Sequence, residues 1–120
     1  MKALLLATAL FAAFYAAAPA APAPQAVVAV IHVDVMPDFT QAASGLLDQF
    51  RRDSLREKGA ESFQVLQETV HANHFTLVET WADQATYDTH AYSAAARAFR
   101  EKLQPMLGSP FDERLHRVRP

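Results

Sequence analysis

The sequence predicts an α+β fold in the order β-α-β-β-α-β, a split βαβ unit of ferredoxin-like type. Three observations carry this. A long run of β-branched residues comes first among the regular elements, at Val27 to Val35. Two further strand-like runs are separated only by His71-Ala72-Asn73. Two stretches with apolar residues at helical spacing fill the intervals before and after that pair.

Each element has its own justification. In Val27 to Val35, one face (Val27, Ala29, Ile31, Val33, Val35) is wholly apolar, and the other (Val28, Val30, His32, Asp34) is apolar at one end and polar at the other. A strand so apolar on both sides is not left with one face in water. Pro37-Asp38 is expected to open a helix, with Asp38 as cap and Gln41 answering it in a capping box. Phe39, Ala43, Leu46 and Phe50 recur at helical spacing, and Lys58-Gly59 closes the helix because glycine readily takes the left-handed cap conformation. Ser62 to Val70 reads as the second strand, with Phe63 and Val65 on one face, and His74 to Trp81 as the third. Asp83 caps a helix in two pieces, the first through Tyr87 and His90, the second carrying Ala95, Phe99 and Leu103, until Pro105 ends it. Gly108-Ser109-Pro110 turns the chain into a last strand, Phe111 to Val118.

In this order the first strand is central, flanked by the third and fourth. The helices cover one sheet face, and Val28, Val30 and Val78 point from the other, which nothing in the chain covers. The expected solution is a homodimer in which two four-stranded antiparallel sheets pack face to face.

Ahead of the first strand, Met1-Lys2, the apolar run Ala3 to Ala18 and the Ala/Pro stretch to Pro24 have the layout of a secretory signal. The apolar run is shorter than the ~20 residues of a spanning helix. The expectation is a signal peptide over 1–20 cut after Ala20, an Ala/Pro linker over 21–26, a single domain over 27–120, and a periplasmic or secreted product with no membrane association once processed. Removing 1–20 leaves 100 residues with no cysteine. Disulfides cannot compensate for a thin core, which again favours burial against a second copy.

Composition excludes several classes. The net charge is −2 and no basic patch is interleaved with aromatics, so nucleic acid is not an expected partner. None of the three glycines falls in a G-x-G pattern, and there is neither a Gly-x-Ser-x-Gly elbow nor a cysteine nucleophile. His71-x-x-His74 spans a turn without the one-face geometry of a helical pair, and no third ligand is evident near it in sequence. Neither a metal nor any other cofactor is expected.

The stretch Asn73-His74-Phe75-Thr76-Leu77-Val78-Glu79-Thr80-Trp81-Ala82-Asp83-Gln84-Ala85, with His90 on the next helix and Phe99 beyond it, resembles the antibiotic-biosynthesis monooxygenase (ABM) family, as does Leu103 to Pro110. The likeness runs from about Val27 to Val118. It implies a dimeric α+β barrel and, by analogy with characterised relatives, a cofactor-independent oxygenase of a small hydroquinone or polyphenol. The alternatives it implies are a non-catalytic protein that binds hydrophobic ligands or serves in stress, and a haem-binding or haem-degrading protein. The chain departs from the family's oxygenases in having Leu77 where an Asn precedes the strand-end Trp by four positions. It departs from the haem-degrading branch in having His32 on the first strand, where an Asn is usual, and His90 early in the helix.

The candidate site residues have competing readings. Trp81 is either a flat wall for an aromatic substrate or a core aromatic closing the sheet end. Glu79, on a face with Phe75, Leu77 and Trp81, is either a proton acceptor or a structural partner of an Arg or of backbone amides. His90 suits a phenolic proton, or packs on its helix. His32, beside Asp34 and with His116 expected close by, is either a general base with its orienter or a satisfied polar patch at the dimer seam. If the family's oxygenase chemistry holds, His32 or His90 is the base, Trp81 and Phe99 form the slot, and Arg97 stabilises the phenolate.

Overall fold

The computed structural model describes residues 25–120, so the expected signal peptide and most of the linker lie outside the described residues. The elements are β1 (Val27–Asp34), α1 (Thr40–Ser54), β2 (Ala60–Gln67), β3 (His74–Trp81), α2 (Gln84–Ala91), α3 (Ala94–Leu103) and β4 (Asp112–Arg117). They form one antiparallel sheet in the order β2-β3-β1-β4, with β1 central as its patterning requires.

The helices lie on one face of the sheet. Val27, Ala29, Ile31 and Val33 of β1 and Phe75, Leu77 and Trp81 of β3 are buried beneath them, together with Ala43 and Leu47 of α1 and Phe99 and Leu103 of α3. Burial of β1 and β3 alternates strictly along each strand, the period-2 signature of one covered face. The open face carries rows of cross-strand neighbours: Ser62, Thr80, Val28 and His116, then Gln64, Val78, Val30 and Arg114, then Leu66, Thr76, His32 and Asp112. It is therefore an apolar patch (Val28, Val30, Val78, Leu66) within a polar frame.

One helix start differs from expectation and one agrees. Pro37–Phe39 forms a short 3₁₀ turn and α1 begins only at Thr40; Asp38 lies inside that turn and caps nothing. Met36, which caps the 3₁₀ turn, has no side-chain oxygen to offer, and the Thr40 hydroxyl instead donates to the Pro37 carbonyl at 2.7 Å. Asp83 does cap α2, accepting from the Thr86 amide at 2.8 Å in a capping box. The break between α2 and α3 falls where Ser93 supplies a new cap, accepting from the Ala96 amide at 3.1 Å.

Candidate functional site

β3 places Phe75, Leu77, Glu79 and Trp81 under the helices, so a carboxylate stands in an otherwise apolar row. Glu79 is flanked across the sheet by Phe63 and Ala29, and its solvent exposure is 0%. Tyr87 and His90, three apart on α2, project from the same helix side onto this point and are buried. The Trp81 indole N–H donates to Glu79 Oε2 at 2.9 Å, and His90 Nε2 stands 3.4 Å from the same oxygen. The His90 ring stacks on Trp81 with centroids 4.4 Å apart. Its other nitrogen, Nδ1, is 2.5 Å from Glu57 Oε2, in the turn that follows α1. Glu79 Oε1 is buried with no hydrogen-bond partner among the described residues.

Burial controls the electrostatics. It drives the Glu79 carboxyl up to about 7, against the Trp81 hydrogen bond that favours the charged form; the nearby Glu113 and Glu57 carboxylates push it further up. It pushes His90 below the ordinary histidine value, and the Glu57 hydrogen bond opposes it; the Arg100 guanidinium adds to the lowering. Burial also raises Glu113, which accepts a hydrogen bond from the Tyr87 hydroxyl. Near neutrality the arrangement is satisfied by a neutral imidazole that donates Nδ1–H to Glu57 and faces a protonated Glu79 through Nε2.

An open cleft of about 360 Å³ lies between α1 and α3. Its walls include Leu46, Phe50, Ala95 and Phe99, with Glu57 at one side and Lys102 at another. Phe50 and Phe99 stack flat, 3.8 Å between centroids, and Phe50 also meets the His90 ring at 5.4 Å. Glu57 thus touches both the cleft and the buried imidazole.

The expected site residues fall into three places. Glu79, Trp81 and His90 are brought together, and Phe99 lines the cleft beside them. Trp81 is 1% exposed and does not line the cleft; it closes the sheet end and holds His90 and Glu79. Glu79 accepts from Trp81 and stands 3.4 Å from His90, in place of the Arg or backbone amides expected as its structural partners. Arg97 is exposed, whereas Arg100, three residues on, reaches back to the Ala91 carbonyl at 2.6 Å and faces His90. His32 lies on the open face, its Nδ1 3.3 Å from the Thr76 hydroxyl, so the sheet separates it from His90.

The expected His32–Asp34–His116 group is not formed. The β1–β4 register sets His116 against Val28 and Asp112 against His32, which leaves His116 roughly 13 Å along the strand. Asp34 accepts from Ser109 instead, at 3.2 Å. Glu57 was missed because nothing in its sequence spacing relates it to β3 or α2. The one signal nearby is Gly59, which returns the chain to the sheet.

Comparison with known proteins agrees with this architecture. The family model described as antibiotic biosynthesis monooxygenase (ABM) matches residues 26–102. Among solved structures, a conserved protein from Methanosarcina mazei Go1 is similar with a TM-score of 0.75 at 23% identity, over 81% of this chain and 96% of that one. A Mycobacterium tuberculosis protein gives 0.71 at 20% identity, over 79% and 94%. A structure described as an antibiotic biosynthesis monooxygenase gives 0.74 at 14% identity, over 78% and 99%. No curated protein sequence matches the chain. The family match spans more than half of the chain, through the central strands and the helix that carries His90, and the chain belongs to the antibiotic biosynthesis monooxygenase family.

Proposed function

We propose that this chain is a monooxygenase that takes a small hydroquinone or polyphenol into the α1–α3 cleft and uses O2. The observation that carries the reading is Glu57, which lines the cleft and hydrogen-bonds the buried His90. Once Glu79 is ionised, the neutral imidazole holds its proton on Nε2, directed at Glu79, and leaves Nδ1 bare; the phenolic O–H then donates to Glu57, and its proton passes on to His90 Nδ1. The resulting imidazolium lies between two carboxylates, so ionised Glu79 favours the transfer. The phenolate then supplies the electrons for O2. A hydroquinone and O2 give a hydroxyquinone and water, with one oxygen atom in each product.

Protein added to an auto-oxidisable hydroquinone is expected to accelerate oxygen uptake. Glu57→Gln and His90→Gln should each lower that rate about 100-fold, the range of a lost acid–base group. The rate should rise with pH through about 7, as Glu79 ionises. Equal uptake with and without protein across a panel of quinols would instead favour a non-catalytic protein that binds ligands in the same cleft.

We also propose that the active form is a homodimer joined through the open sheet face, supported by the patch of Val28, Val30, Val78 and Leu66. Val28→Asp would bury an unpaired charge in that contact. Light scattering is expected to show a dimer for the parent chain and a monomer for the variant. A variant that remains dimeric would move the interface elsewhere.

A further inference from the structure

The β2–β3 turn gathers donors that the cleft does not use. Glu68, just after β2, has its amide on the His74 carbonyl at 2.9 Å, and the His74 amide returns to the His71 carbonyl at 2.9 Å. The Gln67 side chain ties the same turn through the Ala72 carbonyl at 2.6 Å. This backbone aims two imidazoles at one carboxylate: His71 Nδ1 lies 2.7 Å from Glu68 Oε1, and His74 Nδ1 lies 3.2 Å from Glu68 Oε2. The two rings are near parallel with centroids 5.1 Å apart. One donor atom from each of the three residues lies within 4.8 Å of the others. A second carboxylate is close, since Asp34 Oδ1 at the end of β1 is 3.9 Å from His74 Nδ1.

From spacing alone the His71/His74 pair lacks both the one-face geometry of a helical pair and a nearby third ligand. Glu68 is that ligand, and a turn rather than a helix face makes the donors converge. Ligands bound to Zn²⁺ at about 2.0–2.2 Å stand roughly 3.4 Å from one another. The side chains of Glu68 and His71 are solvent-exposed, so rotamer changes suffice to close the remaining ångström or so. Both imidazoles must then present a bare Nδ1, and the metal takes the place of the protons now shared with Glu68. Two imidazoles and a carboxylate suit zinc, copper or nickel more than magnesium or calcium.

We propose that Glu68, His71 and His74, with Asp34 at the margin, form a binding site for a divalent transition metal of the zinc–copper class. The site lies at the end of β3 opposite Trp81, roughly 20 Å along the strand, and is independent of the chemistry in the cleft. A bound ion would fasten the hairpin to the end of β1.

The test is titration of the untagged full chain with Zn²⁺ and with Cu²⁺ in competition with a chromophoric chelator. One equivalent should bind, and Cu²⁺ should bind more tightly than Zn²⁺. His71→Ala and His74→Ala should each weaken binding about tenfold or more, Glu68→Gln should weaken it as well, and His116→Ala should leave it unchanged. Electron paramagnetic resonance of the Cu²⁺ form should show coupling to two imidazole nitrogens, and to one in His71→Ala. His71 is exposed in a turn, so this variant carries the test even if His74→Ala folds poorly. No saturable binding at micromolar metal, or an unchanged affinity in His71→Ala, would overturn the proposal.

Discussion

Glu79→Gln is expected to stabilise the protein at pH 8 by about 3 kcal/mol. The carboxyl stands at 4.5 in an ordinary setting and at about 7 in the fold. Each pH unit of displacement corresponds to about 1.4 kcal/mol. A raised folded-state value means that the associated stability is fully present below 4.5, declines as pH rises, and is lost once pH passes about 7. Glutamine keeps the shape, can still accept from the Trp81 indole, and has no charge to bury. His90 acts in the opposite sense: its value is lowered, so its contribution is present above the ordinary 6.5 and is lost as pH falls. In denaturant unfolding at fixed protein concentration, the difference between parent and Glu79→Gln isolates Glu79 from His90 and from Glu113, whose carboxyl burial also raises. The variant's advantage should grow from about pH 5 up to about pH 8 and then level off. If the parent is flat and the variant weaker, Glu79 is ionised throughout and paired with an imidazolium.

Such a cost is tolerated only where the group does something else, and that is how the site was legible in part. Glu79 is conspicuous in the sequence because strand alternation places it between Leu77 and Trp81 on a face that is otherwise buried. His90 is conspicuous because it follows Tyr87 by three on an apolar helix side. Local periodicity reaches no further. Glu57 joins them from a turn after α1, 33 residues before His90 in sequence, through a route set by the packing of α1 on the sheet. Arg97 proves exposed and Arg100 turned inward because helical phase depends on where α3 starts, and the Ser93 cap fixes that start. The strand order followed from the split βαβ succession of elements, and the β3 boundaries from alternation and turn residues. The α1 start did not, since Pro37-Asp38-Phe39 satisfies the same sequence rule in a 3₁₀ turn. On the open face, residue types identified His32 and His116, but only the register of β4 decided that they stand apart.

Gly59→Ala is expected to cost about 2–3 kcal/mol and, under the proposed chemistry, to slow oxygen uptake as well, through a displaced Glu57. Gly59 has φ +85°, a conformation that a side chain rarely adopts. A Cβ there would meet Thr86 Cβ at 2.5 Å and its Cγ2 and Oγ1 at 2.6 Å. Thr86 cannot simply turn aside, because it is β-branched and its hydroxyl and amide both serve the Asp83 capping box at the start of α2. The backbone cannot easily yield either: the Gly59 carbonyl accepts from the Ala82 amide at 2.8 Å, and the bulge at the start of β2 follows at once. The strain is therefore expected to pass to Glu57, two residues earlier, and to loosen its bond to His90. Gly45→Ala is the matched control, since a Cβ at this exposed position within α1 meets nothing within 4 Å. It should stabilise by about 0.5–1 kcal/mol through helix propensity. Thermal unfolding of the pair should show Gly59→Ala melting about 10–20 °C lower and Gly45→Ala slightly higher than the parent. A Gly59→Ala protein that melts with the parent and keeps full oxygen uptake would mean that the turn reshapes freely and that Glu57 is not held in place by it.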